Sequence, residues 1–382
     1  MSMTHVFPTY DRFDFEPISG NGVVVTDDQG QDYLDFTSGI GVCNFGYENT
    51  KIQNAVSVQL TKMWHISNLY QNHLQEAVAE LLVGDEDKLV FFANSGTEAN
   101  EAALKLARKA TGKSKVLSFN HSFHGRTYGS MSMTGNDHIK EGFAPLVPDI
   151  SFVDYNDEAS LDAITDDLAA VILEVIQGEG GVIVGDQDWL HAVQAKCKAT
   201  NTLFIIDEVQ TGIGRTGYKF AYQGVGLDPD IVTSAKALAN GLPVGAMIGK
   251  ANLGPAFGPG THGSTFAGNP LTMSAAQAVL TQLTPAFLEE VRDKAASVWD
   301  ELDRFDDLKI VKSVSGRGLM IGIHLTADVA VNDVIKALHQ KGLLTLSAVG
   351  NTLRLLPPLV MSKSDLLSGL HTIYQTLEEQ DK

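Results

Sequence analysis

Lys236 lies in the stretch "TSAKALANGLP" (233–243), where its near neighbours are small or apolar and Gly241 and Pro243 break the segment. A lysine on a solvated helix face ordinarily has charged company. Two readings fit this one. It is a surface residue whose stem snorkels over apolar neighbours, or a desolvated amine with a lowered pKa, held as a nucleophile. Asp207 poses a similar choice at the end of the apolar run "LFIID" (203–207). It either opens a loop with Glu208 or sets a carboxylate at the carboxyl end of a strand. Ligands of α/β sheets bind there, and the carboxylate could pair a buried cation.

Other stretches carry further chemistry. In "ANSGTEANEAALKLARKATG" (93–112), Ser95 followed by Glu98 is a capping box at a strand–turn–helix junction. The free N–H groups and positive dipole end of such a helix suit a phosphate. Gly96 would let the phosphate approach the backbone and Thr97 would add a hydroxyl; an ordinary capped helix reads the same. "NHSFHGRTYGS" (120–130) offers His121, Phe123, His124 and Arg126. The two histidines lack a nearby Cys, His or carboxylate cluster, so no metal site is expected. Phe123 is core, or stacks on a flat aromatic ligand. Arg126 is a surface charge, or grips a carboxylate. "LEVIQGEGGVIV" (173–184) holds Glu174 and also Glu179, which the flanking glycines let the backbone aim. "HGSTFAGNP" (262–270) is a polar loop with Ser264 and Thr265, and Arg354 lies inside an apolar strand, where an unpaired charge is expensive. "GIGRTG" (212–217) has dinucleotide-site spacing without a following helix, and "ARKATGKS" (107–114) imitates a phosphate loop but begins with Ala107 after a helix. Neither supports a nucleotide site.

The elements that must position these residues form an alternating pattern. Short apolar runs at 88–93, 115–119, 150–155, 168–176 and 203–207 read as buried strands, with helical periodicity between several of them; residues 99, 102, 103, 106, 107 and 110 make one Ala/Leu face. That is an α/β fold with a mostly parallel sheet. After about residue 270 the texture becomes α+β. A long helical stretch is expected over 271–305, then two strands, a helix near 331–341, a hairpin and a last helix after Ser362. The expected division is an N-terminal segment (1–45) packing with a small C-terminal domain (271–382), and a large domain (46–270).

The 382 residues carry a net charge of −18 and are 44% hydrophobic, which suits a globular protein and argues against nucleic acid as a partner. Cys43 and Cys197 form no C-x-x-C pair, as expected in a reducing compartment. Neither a secretory signal in "MSMTHVFPTYDRFDFEP" nor an apolar run near the ~20 residues of a membrane span is visible. A cytoplasmic protein without a membrane partner is expected.

Taken together and in order, "NSGTEANEAALKLAR", "SFHGRT", "IQGEGGV", "IIDEVQTGIGRTG", "SAKALANGLPVGA", "HGSTFAGNPL" and "LRLLPPL" resemble the class III (ω-) aminotransferases, which use pyridoxal 5′-phosphate (PLP). The resemblance runs from about "DYLDFTSGIGV" to the C-terminus. Within the class, the compact length and "FHGRT" look most like the acetylornithine aminotransferases. The resemblance implies the PLP-dependent transferase fold type I, with a large domain around the parallel sheet and a smaller α+β domain built from both chain ends. It implies that Lys236 bonds PLP as a Schiff base and that Asp207 holds the pyridine nitrogen. It places Gln210 on the ring hydroxyl, Phe123 on the ring face, and Gly96 and Thr97 on the phosphate. Thr265 would reach the phosphate, and Ser264 the substrate, from a neighbouring subunit of a homodimer with shared active sites. Arg126 would grip the remote carboxylate, and Arg354 the α-carboxylate of glutamate. Glu179 would pair Arg354 when an ω-amine is bound.

The implied reaction moves the δ-amino group of N2-acetylornithine to 2-oxoglutarate. It gives N-acetylglutamate 5-semialdehyde and glutamate, a step of arginine biosynthesis. Ornithine, succinylornithine, succinyl-diaminopimelate and 4-aminobutyrate transfer, or a non-catalytic PLP-fold binder, are the alternatives. The sequence departs from the family at Val175, where proline is usual, in "GYENT" (46–50) and at Ala239 and Asn240, where glycines are common.

Overall fold

The computed structural model describes residues 5–381. Strands β1 (Pro17–Asn21), β2 (Val24–Asp27) and β3 (Asp32–Asp35) begin the chain. They are followed by β4 (Lys88–Ala93), β5 (Lys115–Phe119), β6 (Ile150–Val153) and β7 (Leu168–Leu173). A short hairpin, β8 (Ile176–Gln177) and β9 (Ile183–Val184), precedes β10 (Leu203–Asp207), β11 (Ile231–Ser234) and β12 (Gly245–Lys250). The central sheet has the order β4-β12-β11-β10-β7-β5-β6. β12 alone runs against the rest, antiparallel to both β4 and β11. The expected mostly parallel α/β architecture is what the chain adopts.

β7 is buried at every position and β10 at all but its first residue. This is why both read as unbroken apolar runs: a parallel strand covered by helices has no solvent face to alternate with. The covering helix Gly96–Thr111 turns Ala99, Ala102, Ala103, Leu106 and Ala107 inward, while Ala110 on the same stripe is exposed near its end. Small side chains let this helix approach the sheet closely, and Gly112 in the left-handed region ends it.

The sheet brings the chemistry-bearing residues to one edge. Asp207 pairs in register with Thr233, so Lys236, three residues on, emerges beside it. Gly245 of the antiparallel strand pairs with Ala93, which brings the Asn94–Thr97 turn to the same edge. Phe123 to Arg126 follow β5, and Glu174 follows β7 directly. This is the carboxyl edge of the parallel strands, the edge at which such sheets bind ligands.

The remaining strands are β13 (Val311–Arg317), β14 (Met320–Leu325), β15 (Leu343–Leu344), β16 (Leu346–Ala348) and β17 (Thr352–Leu355). Four form an antiparallel sheet, β13-β14-β17-β16; β15 instead joins the N-terminal strands, pairing parallel to β3. The smaller α+β part is thus built from both chain ends. Two sequence expectations change. The helical stretch 271–305 is two helices, Pro270–Leu280 and Pro285–Leu302; Pro285 cannot continue a helix but starts one well at its first position. β11 and β12 carried no separate signal in the sequence, since their apolar residues are interrupted by Thr233, Gly245 and Gly249.

Arg215 joins these parts. It is fully buried without a carboxylate partner. Its guanidinium donates to the carbonyls of Leu319 (3.1 Å) and Pro357 (2.5 Å), to Ser38 Oγ (3.3 Å) and to Asn44 Oδ1. Burial pushes it down to about 9, with Asp35 opposing. The "GIGRTG" turn that resembles a dinucleotide site therefore serves as a structural bolt.

Candidate active site

A cavity of about 420 Å³ opens at the carboxyl edge, lined among others by Asn94 to Thr97, Phe123 to Arg126, Glu174, Asp207, Gln210 and Lys236. Lys236 follows β11 in the left-handed region, at φ 47°, and begins a single 3-10 turn, Lys236–Ala239. Its amine makes no hydrogen bond or ion pair within 4 Å among the described residues. Burial lowers its pKa, with Glu179 opposing and Arg354 adding to the fall. Of its two sequence readings, the enclosed amine is the one the fold produces. Asn240, at φ 48°, closes the turn. Its side chain accepts from Phe45 N (2.8 Å) and donates to Gly46 O (2.9 Å). Asparagine tolerates this conformation, so the departures at Asn240 and at the Gly46 turn are in contact with one another.

Asp207 is 3% exposed and is held by three donors. Its Oδ2 accepts from Asn100 Nδ2 (2.8 Å) and lies 2.8 Å from His124 Nδ1, and its Oδ1 accepts from Val209 N (2.9 Å). Thr233 Oγ1 donates to Asn100 Oδ1 at 2.7 Å and so fixes the amide. His124 Nε2 is buried without a partner. With Nδ1 facing Asp207, it is the ring nitrogen left unpaired among the described residues. Sequence reasoning weighed His124 only as a metal ligand and passed over Asn100; the one available signal was a polar residue on an otherwise alanine-rich helix face.

At the opposite wall, Ser95 Oγ accepts from Glu98 N at 3.3 Å, as a cap should. The return bond of the expected capping box is displaced by one residue. Glu98 Oε2 accepts from Asn94 N (2.7 Å) and Asn94 Nδ2 (2.8 Å) instead of Ser95 N. The N–H groups of Gly96 and Thr97 belong to the first turn and have no intrahelical acceptor. Gly96 has no room for a side chain, because a Cβ would stand 2.7 Å from Val209 Cγ1. The Thr97 hydroxyl accepts from Thr127 N (3.2 Å) and lies 2.8 Å from Thr127 Oγ1, whose own proton goes to Glu101 (2.5 Å). Its proton is therefore engaged within the chain, leaving the backbone N–H as its free donor.

Phe123 forms one wall, with the Arg126 guanidinium 5.7 Å from its ring centre. Arg126 is otherwise exposed. Glu174 accepts from Phe123 N (3.0 Å) and Gly178 N (3.3 Å). Burial raises its pKa, against the pull of His124. Arg354, 3% exposed, gives Nη1 to Glu179 Oε1 at 2.7 Å and to Gln210 Oε1 at 3.3 Å. This answers the need for a partner noted from the sequence. Burial would raise the Glu179 carboxyl, but Arg354, with Lys236 and Arg126, outweighs it and holds it below the usual range. Ser264 and Thr265 do not line the Lys236 cavity of their own chain. They face a separate cleft with His65, Ser67 and Asn68, though Ser264 Oγ accepts from Asn94 Nδ2 at 3.0 Å.

The arrangement fits PLP. A buried carboxylate oriented by an amide and an imidazole suits a protonated ring nitrogen, an unpaired enclosed amine suits a covalent bond, and a helix N-terminus without a side chain at Gly96 suits a phosphate. A mostly parallel sheet with this set at its carboxyl edge defines a PLP-dependent transferase. Comparison with known proteins narrows the class. Residues 9–377 match the family model described as Aminotransferase class-III. The chain is 64% identical over 378 residues to the acetylornithine aminotransferase of Lactiplantibacillus plantarum, covering 99% of this chain and 97% of that one. It is 53% identical to the acetylornithine aminotransferase of Listeria innocua, over 99% of each. Its structure superposes on the ornithine aminotransferase of Toxoplasma gondii with a TM-score of 0.94 at 30% identity, over 99% of this chain and 94% of that one. For the N-acetylornithine aminotransferase of Stenotrophomonas maltophilia the TM-score is 0.84 at 31% identity, over 97% of each. This chain belongs to the class III aminotransferases and is a PLP-dependent enzyme.

Proposed function

We propose that the enzyme transfers the δ-amino group of N2-acetylornithine to 2-oxoglutarate, within arginine biosynthesis. The observation that carries the chemistry is the pairing of an unpartnered enclosed lysine with a buried aspartate, held by Asn100 and His124, in one cavity. Similarity to curated acetylornithine aminotransferases at 64% and 53% identity over nearly the full length supports the substrate.

In this reading Lys236 holds the cofactor and Asp207 fixes the ring-nitrogen proton, itself oriented by Asn100 and His124. Gln210 binds the ring hydroxyl, Phe123 covers the ring face, and the N–H groups of Gly96 and Thr97 take the phosphate. When bound, PLP supplies the electron sink for the carbon that bears the transferred amino group. Lys236 Nζ, whose lowered pKa favours the free base, moves the proton between substrate and cofactor carbons. Arg126 binds the remote carboxylate. Glu179 neutralises Arg354 while an ω-amine occupies the site and releases it to the α-carboxylate of glutamate or 2-oxoglutarate.

The working unit in this proposal is a cytoplasmic homodimer whose Thr265 and Ser264 complete the neighbouring subunit's phosphate and substrate sites. The body spans 46–270, and the smaller part, 271–382, packs with the N-terminal segment 1–45; residues 1–4 and 382 of these ranges lie outside the described residues. No helix among the described residues is long and apolar enough to cross a membrane.

The test is an absorbance titration of the holoenzyme with N2-acetylornithine, ornithine and 4-aminobutyrate, reversed with 2-oxoglutarate. We expect acetylornithine to convert the cofactor band at the lowest concentration. Preference for another amine overturns the substrate, and no conversion by any donor overturns the activity.

A further inference from the structure

The Glu179–Arg354 pair is anchored by a polar cluster outside the cavity. Glu179 belongs to the five-residue turn Gly178–Val182 that joins β8 and β9. Val182 in that turn is fully buried at φ 57°. For a β-branched residue this is a true outlier, of a kind that persists only where its surroundings enforce it. Gly181 is also left-handed, at φ 115°, and a Cβ there would stand 2.9 Å from Val349 O.

What enforces the turn comes from the sheet that carries Arg354. Ser315 Oγ on β13 donates to Val182 O at 2.7 Å. The same hydroxyl lies 2.7 Å from His324 Nε2 on β14. His324 Nδ1 lies 3.0 Å from Thr352 Oγ1 on β17, two residues before Arg354. Thr352 Oγ1 also reaches Val349 O at 3.0 Å, and Val349 N donates to Glu179 O at 3.1 Å. The chain of bonds thus leaves Val182, crosses three strands and returns to Glu179.

Donor accounting fixes its direction. The Ser315 proton goes to Val182, so Nε2 of His324 carries the ring proton. Nδ1 of the neutral ring accepts from Thr352 Oγ1, whose single proton is shared between His324 Nδ1 and Val349 O. Burial, with Lys312 nearby, lowers the His324 pKa and keeps the ring neutral, as this requires.

We propose that Ser315, His324 and Thr352 are positioning residues forming a latch that holds the strained Gly178–Val182 turn, and with it Glu179, closed on Arg354. The latch sets how readily the site exchanges an ω-amine for an α-carboxylate substrate. This rests on the Glu179–Arg354 exchange proposed above. Neither substrate touches the three residues; they act through the position of Glu179.

The probe is glutarate, a dicarboxylate with no reacting carbonyl, titrated calorimetrically into the holoenzyme. Binding one carboxylate at Arg354 requires Glu179 to leave. Ser315→Ala and Thr352→Val each delete one hydroxyl from opposite ends of the latch with little change of shape. Each should lower the glutarate Kd by about fivefold and raise the ratio of kcat/KM for glutamate to that for the ω-amine by a similar factor. Ser313→Ala, on the exposed part of β13, should leave both unchanged. A Kd that falls less than about threefold in both variants, or that rises, overturns the latch. Arg354→Gln separates the two ideas. If it binds glutarate as the parent does, the exchange at Arg354 is wrong and the latch falls with it. If it loses glutarate while the hydroxyl variants stay at the parent value, only the latch is wrong. The Kd does not depend on which ω-amine is the natural donor.

Discussion

At the scale of single residues, burial separates two adjacent carboxylates. Asp207 faces the cavity and is held by Asn100, His124 and a backbone N–H. Glu208 points away, fully buried, accepting from Thr211 Oγ1 (2.6 Å) and Tyr222 N (2.8 Å). Burial raises it from 4.5 to about 7, against those hydrogen bonds. Between these values the folded state keeps a proton that the unfolded chain has released. Its contribution is therefore complete below about 4.5 and is lost as pH rises through about 7. Glu208→Gln is neutral throughout and lacks that loss. We expect its stability relative to the parent to improve between pH 5 and pH 8 by roughly 3 kcal/mol at most. Urea midpoints at the two pH values check this, and an unchanged difference between the proteins would refute it. The sequence showed two carboxylates after an apolar strand, but not that one would face a ligand and the other the core. That choice depends on the turn after β10 and on the backbone of Tyr222, fourteen residues on.

At the scale of elements, the Ser95 cap has two tasks. It satisfies Glu98 N and leaves the first-turn donors of Gly96 and Thr97, which line the cavity, without an intrahelical acceptor. Ser95→Ala should cost about 1 kcal/mol of stability and also weaken cofactor retention. Urea unfolding of the apoenzyme and PLP dissociation from the holoenzyme measure these separately; loss of stability with retention unchanged would confine Ser95 to a structural part. This helix was legible in advance because its signals are local: a capping serine, an alanine stripe and a terminal glycine. β4, β5, β7 and β10 were legible for the same kind of reason. β11 and β12 were not, because a strand interrupted by Thr and Gly is recognisable only by its neighbours. The break between Pro270–Leu280 and Pro285–Leu302 was missed although Pro285 announces it.

At the scale of the whole molecule, the residues expected at the site fall in two places. Lys236 and Asp207 share one cavity, whereas Ser264 and Thr265 face another cleft of the same chain. In the proposed homodimer each site takes residues from both subunits, so two defective proteins should complement. Lys236→Ala and Thr265→Arg should each be inactive alone. Mixed and reassociated in equal amounts, they should recover about a quarter of the parent activity, from hybrids with one intact site. No recovery, with hybrid formation verified by mass, would place both residues in the same subunit's site. Within a chain, Arg215 fastens the N-terminal segment and the C-terminal strands to the large sheet, a role its motif gave no hint of.

The sequence by itself determined the class of fold, the identity of the cofactor, and the amine, carboxylate and helix terminus offered to it. The fold class and the helix terminus follow from local periodicity and caps; the cofactor follows from the resemblance of the ordered motifs to the class III aminotransferases. Tertiary structure alone decided that Lys236 is enclosed, that His124 and Asn100 orient Asp207, that Thr97 has its hydroxyl engaged, and that Val182 is held in a strained conformation beside Glu179. Each depends on groups distant in sequence meeting in space. A hydrogen bond's partner, unlike a helix's period, is set by packing and not by the residues on either side.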